Sequence, residues 1–204
     1  MCGDTIQSKH SQMGYRLPTL LQQFVWIALL QGRPQDLPSG QAPLRVAMLV
    51  NLFTYVIAVA STRSISDSLV LALADIVISG LCLYIAVSIT DKRPRFYQAY
   101  TALCGGTAVL NVVAVPVLWM SAATGSAEVG IVDLLIVLWG LAIIAHVLRH
   151  TLEVSPLISV GLALAFYMMV LQLLAITGVI SSEPSAEQQL SIYQSLSTDW
   201  LSKA

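Results

Sequence analysis

Two stretches decide the fold: LVLALADIVISGLCLYIAVSIT at residues 69–90 and AYTALCGGTAVLNVVAVPVLWM at residues 99–120. The first carries a single charge, Asp75, and the second carries none. At about 1.5 Å rise per helical residue each run reaches ~33 Å, enough for a hydrocarbon core of ~30 Å. Both read as membrane-spanning helices. The connection, Asp91 to Gln98, is too short to hold a domain and contains Lys92, Arg93 and Arg95. The two helices are therefore expected to run antiparallel and adjacent, with the basic loop in the cytoplasm by the positive-inside bias.

Composition points the same way. The chain of 204 residues is 56% hydrophobic and 10% charged, against roughly 25% charged in a soluble domain. The expected fold class is an all-α integral membrane protein, five transmembrane helices preceded by a short amphipathic interfacial helix. Beyond the hairpin, spans are expected at about 44–60, 131–147 and 157–180, with a polar loop from Ser121 to Gly130. Residues 1–40 form a cytoplasmic arm whose first residues, Met1 to Tyr15, are too polar to offset the entropy of ordering. Within it, Leu17, Leu20, Leu21, Phe24, Val25 and Ala28 follow helical spacing over residues 17–30. That segment reaches only ~21 Å. It either lies in the membrane interface, with Trp26 at headgroup depth, or packs under the bundle as protein core. Pro34 and Pro38 then make an elbow into the first span. The tail, residues 181–204, is polar, with Leu190, Tyr193, Leu196 and Trp200 loosely at helical intervals.

Five spans place the two ends on opposite sides. With the N-terminus inside, Lys9, Arg16, Arg33, Arg45, Lys92, Arg93, Arg95 and Arg149 fall on the cytoplasmic side and only Arg63 and Lys203 outside. No cleavable leader is expected, because Gln31, Gly32, Arg33 and Pro34 follow the first apolar segment instead of a small-residue cleavage site. The dispersed basic residues form no patch for tracking phosphates, which excludes nucleic acid as a partner. Cys2, Cys82 and Cys104 have neither disulfide-framework nor zinc spacing and read as ordinary small residues.

An ionisable group inside a span is a functional candidate, because a centred carboxylate costs at least ~2.5 kcal/mol on insertion scales. Asp75 lies about 9 Å below the outer end of its span, and Asn111 about 18 Å above the inner end of the next, bringing the two to similar depth. Asp75 with Ser79, and Thr107 with Asn111, make two small polar stripes that are expected to dock on each other. Asp75 then serves either as a proton or cation site lined by Asn111, Ser79 and Thr107, or as one half of an interhelical hydrogen bond that fixes register. Asp133 is expected to cap the fourth span. His146 and His150 share a helix face but lack a third ligand, so neither a metal nor another cofactor is expected. Gly105 and Gly106, with Gly161 in the last span, have the small-residue spacing that lets helix backbones approach. Pro116 is expected to bend the third span. No phosphate loop, partnered nucleophile or paired carboxylates occur, so an enzyme is not expected.

The order of parts resembles the Yip family of Ypt/Rab-interacting membrane proteins and its bacterial relatives. Residues 93–116, RPRFYQAYTALCGGTAVLNVVAVP, are similar to the stretch in that family where a polar start precedes a glycine-containing span. Residues 31–38, QGRPQDLP, resemble an elbow of small bacterial membrane proteins, although Arg33 here follows Gly32 instead of preceding it. The resemblance implies membrane organisation or trafficking for the eukaryotic members, transfers no catalytic residue, and places the chain in a bacterial inner membrane. The first reading is a non-enzymatic scaffold that organises membrane proteins or lipids and self-associates as a homo-oligomer. The alternative is a small transporter or channel with Asp75 as its proton or ion site.

Overall fold

The computed structural model describes residues 17–61, 63–124 and 127–176. The arm before Leu17 and the tail from Ser181 lie outside them. Six α-helices make up the described chain: α1 (Leu17–Ala28), α2 (Gln41–Val59), α3 (Ile65–Ile89), α4 (Phe96–Thr124), α5 (Ala127–Leu152) and α6 (Pro156–Ile176). The last five are long and apolar enough to cross a membrane, the architecture of an integral membrane protein.

Local chemistry sets where these helices begin. Ser64 accepts from the Asp67 amide at 3.1 Å, so α3 starts four residues ahead of its apolar run at an N-cap. Pro156 occupies the first position of α6, where its missing N–H is no loss. The loop expected from Ser121 to Gly130 is mostly helix, since α4 continues to Thr124 and α5 begins at Ala127. Alanines there extend both helices past the hydrophobic windows. Asp133 consequently lies inside α5 and not at its start, which corrects the expected capping role. Pro116 is accommodated inside α4.

The helix α4 is the hub, packing most extensively on α2 and then on α5 and α1. The expected close docking of α3 on α4 is not what forms. These two meet chiefly near their shared turn, where Tyr84 and Phe96 stand edge to face, 5.5 Å between centroids. There Tyr100 reaches across to donate to the Ile76 carbonyl, over Gly80, where a Cβ would come within 3.0 Å of the phenol. Tyr100 thus bridges the two helices, its ring lodged where Gly80 has no side chain.

The short helix α1 neither lies on the bundle's end nor merely packs beneath it. Trp139 Nε1 donates to the Ala28 carbonyl at 2.8 Å, and Trp139 sits about 20 Å along α5 from Leu152. The His146 ring then bonds the Gly32 carbonyl at 2.7 Å, about 9 Å from that end. Gln35 Nε2 donates to the His150 carbonyl at 2.9 Å, about 3 Å from it. Taken together, these bonds trace a re-entrant segment: α1 climbs to mid-bundle depth, turns at Leu29–Gly32, and returns as a 3₁₀ turn at Pro34–Asp36. Irregular backbone at that depth survives only where protein satisfies it. Leu30 takes φ 62, its amide donates to Ile27 and that of Gln31 to Trp26, which closes the helix in a Schellman motif with leucine at the position glycine usually fills. Phe24, Ile27 and Ala28 are buried against the bundle, while Leu21, Val25, Trp26 and Leu29 face its flank.

The basic turn lies at the same end of the bundle as His150. Glu153, between α5 and α6, receives Lys92 Nζ at 2.5 Å and an Arg95 nitrogen at 2.6 Å. Arg93 is exposed. One carboxylate thus ties the α3–α4 turn to the α5–α6 turn.

Candidate functional site

Halfway along the bundle, α2 to α6 surround a cavity of about 350 Å³. Its polar wall comes from three helices: Asn51 and Tyr55 of α2, Asp75 and Ser79 of α3, and Thr107 and Asn111 of α4. The stripes expected to touch, Asp75 with Ser79 and Thr107 with Asn111, both line this space instead.

Asn51 is the organising side chain. It is buried, 4% exposed, and its Oδ1 accepts from Thr107 Oγ1 at 3.1 Å and from Asn111 Nδ2 at 3.3 Å. Thr107 also reaches the Leu103 carbonyl at 2.8 Å. Asn111 is therefore engaged by α2, and no hydrogen bond joins it to Asp75. The expected Asp75–Asn111 pair is corrected: the two line one cavity, but the amide's partner is another amide. Asn51 falls inside the first expected span, 44–60, where the sequence alone assigns it no role. The signal available was a pair of mid-span asparagines, each costly unless bonded.

Ser79 donates back to the Ile76 carbonyl at 3.3 Å and lines the cavity. Asp75 makes no hydrogen bond or ion pair with the described residues, although it lines the cavity. The remaining wall is mostly apolar and includes Phe166 and Tyr167 of α6. Val137 of α5 and Leu171 of α6 both line the cavity and are exposed on the bundle surface at 39% and 36%. These two residues are the part of the wall nearest the α5–α6 surface.

The other candidate residues go elsewhere. Gly105 and Gly106 do permit close approach, but of the re-entrant α1: Phe24 lies over Gly105, while Ile27 and Ile143 of α5 border Gly106. Gly161 has nothing within 4 Å of a built Cβ and contributes no packing within the described chain. His146 and His150 stand edge to face at 4.6 Å, with His146 committed to Gly32. Among the described residues no group of three or more His, Cys, Asp or Glu side chains is placed to hold a metal. Cys82 and Cys104 are buried free thiols.

Comparison with protein-family models, curated proteins and solved structures finds no match to this chain.

Proposed function

We propose that the protein is a small transporter or channel whose intramembrane binding site is the cavity at Asp75. One observation carries this reading: a carboxylate in a span lines a cavity of about 350 Å³ without a partner from the described protein. A cavity of that size falls within the range of small-ligand sites. Keeping an acid in a membrane helix costs ~2.5–3.5 kcal/mol on insertion scales, a cost that an Asp–Asn register bond would have explained and that Asn51 shows is not being spent that way. Pairing with a cation supplies the missing compensation. The Lys92 end faces the cytoplasm by the positive-inside bias, and the chemistry is binding and passage, with no bond made or broken.

Vesicles reconstituted with the protein test this with protons, sodium and methylammonium as permeants. The expected result is flux of at least one cation above that of protein-free vesicles, abolished by Asp75→Asn. Flux equal to that of protein-free vesicles for all three overturns it.

A second reading, a non-enzymatic scaffold resembling the Yip family, draws on α6. Gly161 and Ala165 are exposed one turn apart on that helix, an arrangement that admits another membrane helix or a second copy of this chain. Under it, the Asp75 variants keep full function and mild-detergent purification recovers a stable homo-oligomer or membrane-protein partner.

A further inference from the structure

The cavity's chemistry specifies its ligand more narrowly than its position does. A bare divalent ion wants several oxygen ligands and more than one negative charge. Among the described residues Asp75 is the one acid in the wall, and the Asn51 oxygen is already taken by Thr107 and Asn111. A lone proton needs no cavity of about 350 Å³. What one carboxylate among mostly apolar walls does suit is a single positive charge on a carbon body. The aromatic side chains Tyr55, Phe166 and Tyr167 share that wall, and aromatic faces attract ammonium groups, quaternary ones included. Access fits as well. An amphiphilic cation partitions into a bilayer, and Val137 and Leu171, which line the cavity, are themselves partly exposed on α5 and α6.

Resting on the transporter reading above, we infer that this site takes a monovalent organic ammonium ion, its charge on Asp75 and its apolar part against Tyr55, Phe166 and Tyr167. The ligand enters from the lipid between α5 and α6. Asn51, whose side-chain oxygen already accepts from Thr107 and Asn111, holds the polar wall together and offers no free acceptor of its own to a bound ion.

The probe is benzyltrimethylammonium, whose charge is fixed at every pH, measured by equilibrium dialysis against the full chain in lipid nanodiscs. Saturable binding at one site per chain is expected, unaffected by excess sodium. Asp75→Asn should weaken it at least tenfold, and Tyr55→Leu about threefold, the loss of one exposed-to-intermediate cation–π contact. Retained thermal melting of each variant shows that the fold is intact, and Tyr55→Leu gives an independent arm should Asp75→Asn fail to fold. If the probe does not bind while proton or sodium flux still depends on Asp75, the ammonium assignment is wrong and the transport reading stands. If neither binding nor any flux depends on Asp75, both fall.

Discussion

Gly105 lies directly beneath the ring of Phe24: a Cβ built on the glycine would come 2.2 Å from Phe24 Cδ1. The re-entrant α1 thus owes its depth to the absence of one methyl group on α4. Gly105→Ala should displace Phe24 and cost about 1–3 kcal/mol as an overpacked core site. Gly161→Ala, with open space around it, should be silent. Thermal melting of the two variants separates these outcomes, and Phe24→Leu should recover part of the Gly105→Ala loss by shrinking the opposing side chain.

Asn51 holds Thr107 and Asn111 at once. Asn51→Leu should therefore cost about 1–3 kcal/mol, chiefly by leaving the Asn111 amide without its acceptor, because Thr107 keeps its bond to the Leu103 carbonyl. Combining Asn51→Leu with Asn111→Leu should cost less than the sum of the two single changes. Strict additivity in this double-mutant cycle would show that the amides do not act as a pair.

Glu153 is held below the usual glutamate range by its hydrogen bonds and ion pairs with Lys92 and Arg95. A depressed folded-state value means that its stabilisation is fully present above the unfolded value of about 4.3 and is lost as pH falls through the lower, folded one. Melting temperatures of the wild type and Glu153→Gln should differ by a constant amount at neutral pH and converge in acid. The gap should also narrow with added salt, since the cluster is solvent-exposed. A gap that widens on acidification would contradict the assignment.

Leu30, at φ 62, sits where a side chain is disfavoured. Leu30→Gly should leave stability unchanged or raise it by up to about 1 kcal/mol, whereas the β-branched Leu30→Val should lower it by about 1–2 kcal/mol. Chemical denaturation of both variants in mixed micelles reads the difference.

Much of this architecture was legible in the residues, and for a simple reason. A helix in hydrocarbon must be apolar throughout its length, so the runs around Leu69–Thr90 and Ala99–Met120 declare themselves. What such runs do not encode is rotation about the helix axis. Depth alone brought Asp75 and Asn111 level, yet the Asn111 amide turned to a different neighbour, because α2 packs most extensively on α4 and presents Asn51 there. The re-entrant helix was hidden by its length, too short to span and equally short for a surface helix. Its trace was present in the pair Gly105 and Gly106, two adjacent residues without side chains that leave room on α4 for Phe24 and Ile27.

The central claim is that Asp75 faces a cavity reachable from the membrane, and an apolar carbodiimide reads it directly. Dicyclohexylcarbodiimide enters bilayers and forms stable adducts with carboxyl groups there. In proteoliposomes, peptide mass spectrometry should find the adduct on Asp75, slowed by benzyltrimethylammonium and absent in Asp75→Asn. An unmodified Asp75 alongside labelled acids at the helix ends would contradict the account.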